Sequence, residues 1–177
     1  MPLRTATAAL ALAFGGAQAQ SLTDPACQHS VTRQIAFTSP QAKERLTVSI
    51  GPGACHSAQL SIVVASVQGK VLYRYLAPFK KHVAVQWNDP DLPEVARKFA
   101  DDTSSRALVP RSELPVPKPQ GEMDEGDAEL MVPAPVFKRL VSSGQPMLYH
   151  PTHYEGGQYV VFDPATRSAR VVAQWGV

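Results

Sequence analysis

Leu46-Thr47-Val48-Ser49-Ile50 decides the fold. Its large apolar side chains stand at every second position, the period of a strand with one buried face. Gly51-Pro52-Gly53 then stops it. The same alternation recurs on both sides: Ile35 and Phe37 before it, then Leu60, Ile62 and Val64, then Val71, Tyr73 and Tyr75, then Val83, Val85 and Trp87. Gln68-Gly69 reads as a hairpin turn in which the glycine takes the positive φ. Five such runs with short connections predict an antiparallel meander.

Asn88-Asp89-Pro90 closes the meander. Asp91 is placed to cap a short helix beginning near Pro93, with Leu92, Val95, Ala96 and Phe99 as its apolar stripe. Asp101-Asp102 puts negative charge at the unfavourable end of that helix and predicts its stop there. Residues 103–133 differ in kind, with Pro110, Pro115, Pro117, Pro119 and Pro133 and few large apolar side chains, and read as a long loop on an extended path. A second helix is expected from Pro135 to Ser143, ended by Gly144. Three strands follow, Met147 to His150, Gln158 to Phe162 and Arg170 to Trp175, the last two joined by a type I turn at Asp163-Pro164-Ala165-Thr166. The fold class is therefore α+β. An antiparallel sheet of about seven or eight strands, able to close into a barrel, carries two short covering helices and one disulfide.

The front of the chain reads as an export signal. Arg4 precedes an apolar stretch from Ala6 to Phe14, and Ala17-Gln18-Ala19 fits a signal-peptidase site, so residues 1–19 are expected to be cut between Ala19 and Gln20. The remaining 20–177 form one expected domain, bacterial and periplasmic or secreted. No stretch reaches the roughly 20 apolar residues that span a bilayer. In an oxidising compartment the two cysteines, Cys27 and Cys55, are most simply a disulfide. A ring of about 29 residues contributes roughly 3 to 4 kcal/mol by loop closure. The competing zinc set of Cys27, His29, Cys55 and His56 uses a tighter Cys-x-His spacing than structural zinc sites.

Composition narrows the function. The 177 residues are 44% hydrophobic and 18% charged, a globular balance. Seventeen Lys and Arg against fifteen Asp and Glu leave +2, without the concentrated basic surface that nucleic acid requires. There is no Gly-x-Ser-x-Gly elbow, no His-Glu-x-x-His helix and no phosphate loop. The segment Tyr149-His150-Pro151-Thr152-His153-Tyr154-Glu155-Gly156-Gly157-Gln158-Tyr159 is the most distinctive. Read as a plain hairpin, its tyrosines pack at the sheet edge and its histidines are solvated. Read as a contact loop, Tyr149, His150, His153, Tyr154, Glu155 and Tyr159 engage a partner, since rigid tyrosines among small residues suit that task.

The acidic run Glu122, Asp124, Glu125 and Asp127 reads either as a solvated loop or as a docking arm for a basic partner. Lys80-Lys81-His82 reads as a sheet-edge gatekeeper. The sum is an exported, non-catalytic binding protein whose partner is another protein. The specific case is an inhibitor or immunity protein blocking a basic cell-wall hydrolase, with no cofactor implied. The alternative is a small periplasmic metal-binding protein or hydrolase using His150, His153 and Glu155.

Overall fold

A computed structural model describes residues 25–84, 89–110, 114, 118 and 127–176. The expected export signal, Val85 and Trp87 of the expected fifth strand, and Glu122, Asp124 and Glu125 of the acidic run lie outside the described residues. The meander is present as β1 (His29–Ile35), β2 (Glu44–Ile50), β3 (Gln59–Ala65) and β4 (Val71–Pro78), in that spatial order and antiparallel throughout. Its register carries two rungs across the sheet, Val31–Val48–Ile62–Tyr75 and Arg33–Leu46–Val64–Tyr73. Leu46, Val48, Leu60, Ile62 and Val64 are buried on the inner face, as the alternation requires. Gly69 takes φ +84° in the β3–β4 hairpin. Gly51 takes φ +99°, and a Cβ there would overlap the Cys27 carbonyl oxygen.

The single expected sheet is corrected to two. A second antiparallel sheet has the order β5 (Leu108–Val109), β7 (Met147–His153), β8 (Gly156–Asp163), β9 (Ser168–Trp175), β6 (Ala128–Leu130). That makes nine strands among the described residues, not seven or eight, and no closed barrel. Nearly all of β8 is buried because both its faces are covered. Its inward face joins the core of the first sheet through Val160 and Phe162. Its outward face packs Tyr159 and Val161 against the second helix. β5 and β6 fall inside the expected loop, so 103–133 is not without structure.

The first helix, α1 (Leu92–Ser105), lies across β1 and β2. It buries Leu92, Ala96, Ala100 and Ser104, a stripe of mostly small side chains that lets it approach closely, while Val95 and Phe99 flank it half-buried. It runs past Asp101-Asp102. Asp101 Oδ2 accepts from Arg97 at 2.9 Å and its Oδ1 lies 3.7 Å from His29, which offsets the charge at this end. Asp91 does not cap with its side chain; Asp89 Oδ1 instead accepts its N–H at 2.9 Å. The second helix, α2 (Ala134–Ser142), places Val136, Phe137 and Leu140 on the far face of the second sheet, and Gly144 follows at φ +81°. Arg139 grips Asp163 at 2.9 and 3.1 Å, tying α2 to the end of β8.

Val83 lies in no strand, which removes the described part of the expected fifth strand. Cys27 and Cys55 form the disulfide, which excludes the zinc set, since neither sulfur is a free thiolate. No helix among the described residues is long and apolar enough to cross a membrane.

Candidate functional site

The inner rungs of the first sheet end on two tyrosines, and both reach across to the second sheet. Tyr73 OH lies 2.7 Å from His150 Nε2, and Gln158 Nε2 donates to the Tyr73 oxygen at 2.6 Å. Tyr75 OH donates to the Thr152 carbonyl at 3.0 Å, and its ring lies 4.5 Å from that of His150. His150 Nδ1 sits 2.8 Å from the Pro151 carbonyl, which can only accept. The proton is therefore on Nδ1, and Nε2 accepts from Tyr73. The chain Gln158 to Tyr73 to His150 to Pro151 is closed at every step.

His150 is 1% exposed, and burial pushes its pKa down to about 4. Burial also pushes both the Tyr73 and Tyr75 phenols up. Near neutral pH the cluster carries no charge and has no easily moved proton. It staples the two sheets.

The distinctive segment 149–159 is not an open loop. It is the β7–β8 hairpin with a tight turn at Tyr154-Glu155. Pro151 is tolerated because the ladder is irregular between Pro151 and His153. Gly156 and Gly157 are strand residues that make room for rings. A Cβ on Gly156 would overlap Cε1 and Nδ1 of His153, and one on Gly157 would overlap the Tyr149 ring. Tyr149 also packs at 5.1 Å against Tyr159. Of the six expected contact residues, His150 and Tyr159 are thus buried and Tyr149 and His153 half-buried, leaving Tyr154 and Glu155 exposed at the tip. Among the described residues no three His, Cys, Asp or Glu side chains are placed to hold a metal ion together. Of the acidic run, Asp127 is described, and its carboxylate lies 2.8 Å from Lys118 Nζ.

Sequence reasoning missed the foot of this seam. His82, which the sequence places in a basic edge, is 4% exposed and wedged between Tyr75 and Phe99, with ring centroids 6.0 and 5.6 Å away. Neither of its ring nitrogens has a hydrogen-bond partner. Burial, then the neighbouring His150, His153 and Lys81, push its pKa down to about 4. Beside it opens a cleft of about 460 Å³ lined by Lys81, Thr152, His153, Gln174 and Gly176. A second, smaller slot of about 220 Å³ runs between α1 and β7, with Phe99, Tyr149 and Pro151 among its walls. The signal for Tyr73 and Tyr75 was their period-two spacing opposite the core residues of β3. No sequence signal marked His82.

Comparison with protein families, with curated proteins and with solved structures finds no match for this chain.

Proposed function

We propose that this chain is an exported, non-catalytic binding protein that engages another protein with the end of the molecule built from the β7–β8 tip and the Lys80-Lys81 turn. One observation carries the reading: the side chains best suited to chemistry, His150, Tyr73, Tyr75 and Gln158, are consumed in an internal hydrogen-bonded chain, whereas the tip offers contact groups. Tyr154 is 63% exposed, and its backbone is held by a 2.8 Å hydrogen bond from its N–H to the Lys81 carbonyl. A rigid, exposed tyrosine on a fixed hairpin loses little freedom on binding. An inhibitor or immunity protein is a special case of this reading. Of the acidic run that would draw a basic partner, the described Asp127 already faces Lys118.

The test is affinity capture from an extract of exported proteins with the disulfide-bonded protein as bait. Tyr154→Asp alters the tip, and Arg74→Asp alters the exposed outer face of β4. The wild-type and Arg74→Asp baits are expected to retain the same partner and Tyr154→Asp to lose it. Capture of no partner, or capture indifferent to Tyr154→Asp, overturns the reading.

A further inference from the structure

Of the seven buried side-chain polar atoms without a hydrogen-bond partner among the described residues, four gather at one place. His82 Nδ1, His82 Nε2, Thr152 Oγ1 and His153 Nδ1 are all of this kind. They lie on two segments that touch, joined by the hydrogen bond from Tyr154 N–H to the Lys81 carbonyl. Each such atom costs desolvation free energy, and native structures keep few. Two of the residues, Thr152 and His153, line the cleft at the foot of the sheet seam. A few polar side chains converging on a cleft are the setting of a ligand site.

Charge fixes the sign of that ligand. Lys81 is exposed and makes no ion pair among the described residues, and Lys80 stands exposed beside it. No carboxylate is found among the described lining residues; Glu155 lies outside them on the turn. The groups facing His82 are Lys81, His150, His153, Tyr75 and Phe99, all positive or neutral. A cation would be repelled there. A carboxylate would meet the Lys81 ammonium, the Gln174 primary amide and the His153 imidazole, three groups able to donate.

We infer that this cleft receives a carboxylate from an acidic peptide segment, held by Lys81 with Thr152, His153 and Gln174 around it. The inference rests on the protein-partner reading and gives its chemistry: the segment docked at this end is acidic and lies beside Tyr154.

Titration of the isotope-labelled, disulfide-bonded protein with N-acetylated, C-amidated hexaglutamate, followed by NMR at constant low ionic strength, tests it. Hexaglutamine is the neutral control. Saturable shifts are expected at Lys81, Thr152, His153, Gln174 and Gly176 with hexaglutamate alone. Lys81→Glu should weaken binding about tenfold or more, the loss of one charge-assisted hydrogen bond. Lys43→Glu, the same change in net charge on the exposed β1–β2 connection, should alter it far less. Equal binding of hexaglutamine, shifts mapping elsewhere, or equal effects of the two substitutions overturn the inference. If hexaglutamate fails while Tyr154-dependent capture persists, only the carboxylate subsite falls. If hexaglutamate binds and no protein is captured, the protein-partner reading falls and the anion subsite stands.

Discussion

Acidification should loosen this protein well before its carboxylates titrate, and His82 and His150 are the reason. Both rings are buried neutral, with folded-state pKa values near 4 against 6.5 for an ordinary histidine. The unfolded chain therefore binds more protons than the folded one between those values, so stability is full above about pH 6.5 and falls as pH drops towards 4. At about pH 5 each ring favours unfolding by up to about 2 kcal/mol, or about 4 kcal/mol for the pair. That is a large share of the roughly 5–15 kcal/mol typical of a domain. Urea unfolding followed by circular dichroism at a series of pH values reads this as a falling midpoint at constant slope.

The two histidines should then separate. His82 makes no hydrogen bond, so His82→Phe discards none and keeps the ring contacts with Tyr75 and Phe99. It should be neutral or stabilising by up to about 1 kcal/mol at neutral pH, and should remove about half of the acid sensitivity. His150→Phe leaves the Tyr73 O–H without its acceptor and the Pro151 carbonyl without its donor, and should cost about 1–3 kcal/mol at neutral pH. A pH profile flat between 6.5 and 5, or a His82→Phe variant that loses more than about 2 kcal/mol at neutral pH, refutes the reasoning.

Asp163 is fully buried between Arg139 and Arg170, which with its own turn hold its pKa down at about 2. Asp163→Asn leaves the half-exposed guanidiniums of Arg139 and Arg170 without their counter-charge and should cost about 1–2 kcal/mol. Calorimetry would show a lower Tm; no change would mean that α2 is held by apolar contacts alone. The wild-type Asp163 contribution is present above pH 3.8 and is lost as pH falls towards 2, below the histidine window. Reducing Cys27–Cys55 should lower the urea midpoint by the equivalent of about 3–4 kcal/mol, checked against the Cys27→Ala/Cys55→Ala variant. Gly157→Ala should displace the Tyr149 ring and cost about 1–3 kcal/mol, with altered near-UV circular dichroism; a silent substitution would mean that the ring is not seated there.

Local rules carried the sequence a long way where one face of a strand is apolar. β2, β3, β4, the Gly69 turn, the end of α2 and the cysteine pair all follow from spacing and turn chemistry. Periodicity tells which side of a strand is buried, but not against which sheet, so a meander with a returning set of strands reads as one sheet when it is two. A clue did exist in Tyr159-Val160-Val161-Phe162, a run without alternation, because a strand covered on both faces loses the polar half of its pattern. The start of α1 was legible and its end was not. Its last turn buries Thr103 and Ser104, and Ser104 Oγ accepts from Arg33 Nε of β1, contacts that exist only after the sheet has formed. Glycines misled most. Gly156 and Gly157 beside tyrosines read as an adaptable loop, whereas each is small so that a neighbouring ring can lie across the strand.

Two histidines with nearly equal burial have opposite surroundings, and that contrast separates architecture from function in this molecule. His150 spends one nitrogen on Tyr73 and the other on Pro151, so its polarity fixes how the two sheets meet. His82, next in the chain to the cleft-lining Lys81, has nothing on either nitrogen, a place where phenylalanine would fill the space without the desolvation cost. An imidazole there makes sense if it serves the positive, donor-rich end that Lys81 and His153 form. His82→Phe joins both halves of that argument in a single variant. Stabilisation together with weaker hexaglutamate binding would place the cost of His82 in recognition. Stabilisation with binding unchanged would make His82 a bystander and leave Lys81, Thr152, His153 and Gln174 to hold the carboxylate without it.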